Sequence, residues 1–206
     1  MMKQTLTVPK ICSADELATI GASGIIGCIN WPKEYPYKPT ATFRIGHTDT
    51  AVCILFSVEE QNVRGVCTES NGSVWEDSCV EFFVRRPDDD HYFNFETNCI
   101  GVGLSARRRS RTDDVRKFTA AQADRIVRRS SLPCEPIDKA DGRWSLLIEV
   151  PFEVIGCNVC PERLYANLYK CGDRTAVPHF VSWSPIDVPT PDFHRPEFFG
   201  ELIFEK

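Results

Sequence analysis

Methionine is nearly absent: two residues, both at the extreme N-terminus, against thirteen phenylalanines. The interior therefore holds no Met to ligate a metal or heme, and a β-rich core must be built without it. Long apolar runs are also missing. The longest uncharged stretch, Leu17 to Pro32, is broken by Gly21, Gly24, Gly27 and Asn30, and is too short and too polar to span a bilayer as a helix. Asp15 and Glu16 interrupt any apolar signal segment after Lys3 and Lys10, so the expectation is a cytoplasmic protein, or a periplasmic or secreted one if a leader has been removed. Basic charge is not in excess either. Lys and Arg number 24 against 29 Asp and Glu, a net charge of −5, which argues against a wholly basic nucleic-acid binder and against a membrane partner. The sequence has no G-x-S-x-G elbow, H-E-x-x-H pair, P-loop or dinucleotide fingerprint, so no residue is assigned a catalytic role by motif. The four histidines, His47, His91, His179 and His194, are scattered.

What is present reads as strand. Alternation and enrichment in Val, Ile, Phe and Tyr predict strands over 41–46, 51–58, 78–85, 91–98, 143–150, 164–170, 179–184 and 199–205. Ser13 to Glu16 has capping-box spacing ahead of Leu17 and Ile20, which predicts a short helix over 14–20, and 119–129 is a second, weaker candidate. Eight or more strands without regular helices between them predict an all-β fold, an antiparallel β-sandwich of jelly-roll or immunoglobulin-like type with one or two short helices. No linker or repeat divides the chain, so residues 1–206 read as a single domain.

Ten cysteines invite a disulfide or metal reading. Cys28, Cys53, Cys79, Cys99 and Cys171 lie in or beside β-like runs, where a reduced thiol behaves as a small hydrophobe. Cys157 and Cys160 form one C-x-x-C, but Cys134, Cys171 and His179 supply no second pair at zinc-like spacing. No metal ligands are assigned.

Charge is unevenly placed. Residues 106–129 carry nine Lys and Arg against three Asp, a net of +6 that leaves −11 on the rest. The run could hold phosphate or nucleic acid. No aromatic interleaves the arginines to stack on bases, and the favoured reading is a solvated loop whose cations pair with an acidic body.

Val74 to Gly101 is the most informative stretch. Val80, Phe82 and Val84 share one face of a strand, with Cys79, Glu81 and Phe83 on the other. In the next strand Tyr92, Asn94, Glu96 and Asn98 lie opposite Phe93, Phe95 and Thr97. A symmetric turn at Arg86-Pro87-Asp88-Asp89-Asp90 would set Phe83 against Tyr92, Glu81 against Asn94 and Cys79 against Glu96. The polar face then presents Glu81, Asn94, Glu96 and Asn98, extended upstream by Asp77 and Trp75. Carboxylates and amides suit vicinal sugar hydroxyls, and an exposed indole suits the C–H face of a pyranose. Trp183 is the candidate for a second stacking ring, while Trp144 and Trp31 read as packing.

Trp75-Glu76-Asp77-Ser78-Cys79-Val80-Glu81-Phe82-Phe83 resembles the W-x-D-x-x-V-E-x-F signature of family 9 carbohydrate-binding modules and their stand-alone, DOMON-related β-sandwich relatives. Tyr92 to Asn98 with Gly101, Trp144 to Phe152, Leu164 to Tyr169, and Trp183-Ser184-Pro185 with His194, Pro196, Phe199 and Gly200 are similar to later family segments, in order. The resemblance implies a sandwich binding a mono- or oligosaccharide without cleaving it. Trp75 and Trp183 would clamp the ring, and Glu81 and Asn94 would hydrogen-bond it. It calls for no cofactor; some members hold structural calcium near the N-terminal region, where this chain reads Ile29-Asn30-Trp31-Pro32. Two alternatives stand beside it. One is a glycoside hydrolase using Glu81 and Glu96 as diagonal neighbours with Cβ atoms roughly 7–8 Å apart. The other is a sandwich scaffold that has lost its sugar site.

Overall fold

Period-two alternation of large apolar side chains dictates sheets that bury one face each. The computed structural model describes residues 3–206 and stacks two such sheets. The first runs in the order β1 (Thr5–Val8), β14 (Gly200–Phe204), β12 (Arg163–Cys171), β6 (Cys79–Arg85), β7 (Tyr92–Asn98), β8 (Gly103–Arg108) and β9 (Arg116–Lys117). β13 (Phe180–Ser182) pairs with β12 and with β3 (Cys28–Ile29). The second sheet runs β10 (Val127–Ser130), β11 (Ile137–Pro151), β5 (Ala51–Gly65), β4 (Thr40–His47) and β2 (Ala22–Ile25). Every pairing is antiparallel except β1 with β14. The architecture is the expected all-β sandwich, and no helix is long and apolar enough to cross a membrane.

The inner face of the first sheet supplies Val80, Phe82, Phe95 and Leu168, and the second sheet supplies Phe43, Ile54, Phe56, Trp144 and Leu146, all buried in one cluster. Each fully buried Phe or Leu contributes roughly 1.5–3 kcal/mol. At one end of this core lies a buried ion pair. Lys170 Nζ is 2.8 Å from Glu60 Oε2 and 2.7 Å from His179 Nε2, and Trp144 Nε1 donates to Glu60 Oε1 at 2.7 Å. His179 Nδ1 is 2.8 Å from the Val177 carbonyl, so Nδ1 donates there and Nε2 accepts from the ammonium. Burial and the Lys170 charge hold His179 neutral, its pKa pushed down to about 2.

All eight expected strands are found, with three kinds of difference. β5 and β11 run well past their apolar halves, because polar cross-strand pairs continue the ladder: Arg143 Nε meets Glu59 Oε2 at 3.0 Å, and Arg64 Nη1 meets Asp138 Oδ2 at 3.0 Å. The helix expected over 14–20 is a 3-10 turn, Ala14–Ala18, with no bond from the Ser13 side chain; Glu16 Oε2 instead accepts from the Cys12 amide. Only Ala120–Ala123 is α-helical within 119–129, closed by a Thr119–Gln122 capping box, and the remainder supplies β10.

The Arg-rich segment is thus not a loop but the rim of both sheets, contributing β8, β9 and β10. Its outward cations do pair with acids. Arg107 meets Asp89 (3.2 Å), Arg109 meets Asp90 (3.2 Å), Arg116 meets Asp114 (2.9 Å) and Arg129 meets Asp15 (2.7 Å), while Arg125 pairs with Glu153.

Candidate functional site

The β6–β7 hairpin sets the site, and its register differs from the symmetric-turn expectation by two residues. Asp89 explains the shift. Its carboxylate accepts from the His91 amide at 3.0 Å and from Arg86 Nη2 at 3.0 Å, which closes a longer loop over 86–91. Phe83 therefore pairs with Asn94, Glu81 with Glu96 and Cys79 with Asn98. The two glutamates stand directly opposite each other rather than diagonally, which brings their Cβ atoms to about 4.5–5.5 Å.

Both glutamates form the floor of a cleft of about 420 Å³ on the outer face of the first sheet, a size that admits a small ligand. Each is only 4% exposed. Burial is the main cause that raises the pKa of both, and the charge of Glu96 raises Glu81 further. The pair consequently holds a proton near neutrality and can both donate and accept. Beneath them Asn94 is fully buried, donating to Glu96 Oε1 at 2.8 Å while accepting from Arg108 Nε at 2.8 Å. Across β6, Cys171 Sγ donates to Glu81 Oε1 at 3.1 Å.

Loops complete the walls. Trp75, half-buried on the 3-10 turn Val74–Glu76, lines the cleft, and its carbonyl accepts from the Asp173 amide at 3.3 Å. Asp173 lines the cleft too, its carboxyl raised to about 6 by burial and then by Glu76. Phe193 stacks on Tyr169 at 4.2 Å and accepts from its hydroxyl at 3.1 Å. His194 shares a 2.9 Å hydrogen bond with the Tyr92 hydroxyl, and burial with Arg108 and Arg111 lowers its pKa to about 3. His194 therefore braces the closing loop as a neutral ring. Phe180 adds a partly exposed aromatic to the lining.

Of the seven residues proposed from sequence, the cleft brings together Trp75, Glu81 and Glu96, with Asn94 directly supporting them. Asp77 and Asn98 serve the fold instead. Asp77 Oδ2 accepts from the amides of Val66 and Cys67 and from Asn98 Nδ2, at 2.9–3.0 Å, and Asn98 Oδ1 accepts from the Val102 amide at 2.9 Å. Trp183 requires a correction. It lies between the sheets, 6% exposed, with its ring edge-to-face against Phe43 at 6.0 Å, because inner-face packing needed a large side chain there. A two-tryptophan clamp is not what this cleft offers. Arg108, Arg111, Lys117, Asp173 and Phe180 also line it and escaped sequence reasoning. The only signal for Arg108 was its parity with Leu104 and Ala106, which the run of three arginines obscures.

Among the described residues, two groups bring metal-ligating atoms together. Cys79, Glu81 and Cys171 place one atom each within 4.8 Å of the others, as do Asp89, Asp90 and His91. The first carries protonated thiols: burial pushes Cys79 up to about 12, and the hydrogen bond that Cys171 donates to Cys79, and then burial, raise Cys171. The second is committed to ion pairs with Arg86, Arg107 and Arg109.

The sequence model of carbohydrate-binding family 9 matches residues 11–204. The chain belongs to that family. A Bacteroides uniformis ATCC 8492 crystal structure, described as that of a "putative carbohydrate-binding protein", is similar at 34% identity and a TM-score of 0.92, covering 99% of this chain and 100% of the other. A family 9 module from Caldicellulosiruptor kristjanssonii in complex with glucose shares the fold at 11% identity and a TM-score of 0.56, over 98% of this chain and 96% of its own. The cellotriose complex of a family 9 module from the same organism gives 12% and 0.57, over 98% and 94%. No curated protein matches. Family 9 membership accounts for the sandwich.

Proposed function

We propose that this family 9 protein binds a mono- or oligosaccharide in the Glu81–Glu96 cleft and does not cleave it. The observation that carries the reading is the opposed pair itself, beside a half-buried Trp75. A pair of carboxyls of which one is protonated can accept from one sugar hydroxyl and donate to another, and one indole supplies an apolar stacking face. Binding of glucose and cellotriose by the Caldicellulosiruptor modules supports the ligand class. Stacking falls to Trp75 alone among the tryptophans, with Phe180 and the His194 imidazole as further partly exposed rings in the lining. Titration calorimetry with glucose, cellobiose and cellotriose tests the reading: Trp75→Ala should weaken binding by about tenfold or more, and unchanged affinity would overturn it.

Glycoside hydrolysis is the second reading, and the closeness of the two glutamates favours it. Hydrolysis predicts that Glu81→Gln retains sugar but loses turnover; binding alone predicts weaker affinity and no turnover in either protein. For calcium, the residues of the N-terminal region fit poorly. Asn30 donates to Ser182 Oγ and accepts from the Ile186 amide, both at 2.9 Å, so its side chain is already engaged. Neither nucleic acid nor membrane is proposed as a partner, in keeping with the ion pairing of the outward arginines.

A further inference from the structure

Eight of the nine cations of the Arg-rich segment divide into two sets, and the ninth, Arg128, donates to the carbonyls of Ala123 and Ile126 and to Ser105 Oγ. Arg107, Arg109, Arg116, Arg125 and Arg129 point away from the cleft lining and each meets a carboxylate. Arg108, Arg111 and Lys117 line the cleft. Among the described residues neither Arg108 nor Lys117 forms an ion pair, and Arg111 reaches only Asp192, at 3.8 Å. Lys117 Nζ donates to the Asn71 carbonyl at 3.0 Å, a neutral partner.

Arg108 is the telling residue. It is 7% exposed, and a guanidinium withdrawn from water is costly unless a carboxylate bonds it directly; Glu96 and Glu81 act on it only through space. Its Nε donates to Asn94 Oδ1 at 2.8 Å and one Nη to the Arg111 carbonyl at 3.1 Å. The other Nη makes no hydrogen bond among the described residues. All three cations come from β8, β9 and the turn between them, so they occupy one wall. The acids facing the same space come from elsewhere: Glu81 and Glu96 from the floor, Asp173 from the loop after β12, and Asp192 from the loop before β14. Polarity therefore runs across the cleft, with hydrogen-bonding carboxyls on the floor and unneutralised cations on one side.

We propose that the cleft selects an anionic sugar, such as a hexuronate, whose carboxylate seats on Arg108, Arg111 and Lys117 while its hydroxyls meet Glu81 and Glu96. The inference rests on the carbohydrate reading and names the substrate class of that site. A guanidinium presents donors in the fork geometry that a carboxylate matches, and a ligand anion would supply the directly bonded carboxylate that Glu96, reached only through Asn94, does not.

Calorimetry at pH 7 with four sugars, glucose, glucuronate, galactose and galacturonate, tests it, with galactose 6-sulfate as a fifth arm. At least one acidic sugar should bind about tenfold or more tighter than its neutral parent, and raising salt should shrink that ratio. Arg111→Gln and Lys117→Gln should each lower the ratio several-fold, and Arg108→Gln should bring it close to one. The Arg111 side chain is 63% exposed, so its substitution tests the wall even if Arg108→Gln fails to fold. Preference for the sulfate alone assigns the wall to sulfated sugars, within the proposal; preference for a uronate assigns it to carboxylates. Equal or tighter binding of the neutral parents overturns the anionic selection and leaves sugar binding standing. Binding of none of the five, nor of cellobiose or cellotriose, overturns both.

Discussion

Trp75 and Trp183 show what a residue's surroundings do to a shared chemistry. One sits half-buried on a turn at the cleft, the other inside the sandwich against Phe43. Replacing Trp183 by Ala should destabilise the protein by about 3–5 kcal/mol, read from urea unfolding, whereas Trp75→Ala should cost far less stability and most of the sugar affinity. Titration of the floor has a definite sign. Burial raises the folded-state pKa of Glu81 and Glu96 above the ordinary glutamate value of 4.5, so the folded state holds more protons than the unfolded one above that pH. Their contribution is present at low pH and declines as pH rises from about 4.5 through neutrality. Glu96→Gln should flatten this decline and raise the melting temperature at pH 8 relative to wild type. An unchanged slope between pH 5 and 8 would show that the carboxyl is not perturbed.

At the scale of elements, period-two patterning located the eight apolar strands because burial on one face leaves a mark in the sequence. It missed the short strands β1, β2, β3 and β10, and it missed β8 and β9, where cations alternate across a strand, one row pairing with acids and the other lining the cleft. The hairpin register was also hidden. It depends on Asp89 closing a longer loop, and side-chain to backbone bonds of that kind carry no periodic signal. The candidate site was therefore half legible: Trp75, Glu81, Asn94 and Glu96 by type and parity, the cationic wall only as a run of charge read as a solvated loop. Asp77 supplies a test of the supporting structure. Its carboxylate gathers two backbone amides and Asn98 in a fully buried setting, so Asp77→Ala should cost about 3 kcal/mol, leaving those donors without a partner.

For the molecule as a whole, stability depends on groups far from the cleft. The Lys170–Glu60–His179 cluster is sealed between the sheets. Lys170→Ala should destabilise by about 3–5 kcal/mol by stranding the Glu60 charge, and the double replacement with Glu60→Gln should recover part of that loss. Thermal melts of the two variants would decide this, since equal losses would mean that the charges do not interact. The edge of the first sheet holds one more consequence. β1 lies parallel to β14, with Thr5 beside Glu201 and Val8 beside Phe204, tied by Glu201 N to Gln4 O at 2.9 Å and Glu205 N to Val8 O at 3.0 Å. A pull applied at the two chain ends would slide these strands past each other in shear, loading their hydrogen bonds together rather than unzipping them in turn. The protein should then resist stretching more strongly than its equilibrium stability alone would suggest, and a proline at Leu6 should lower the rupture force in single-molecule pulling.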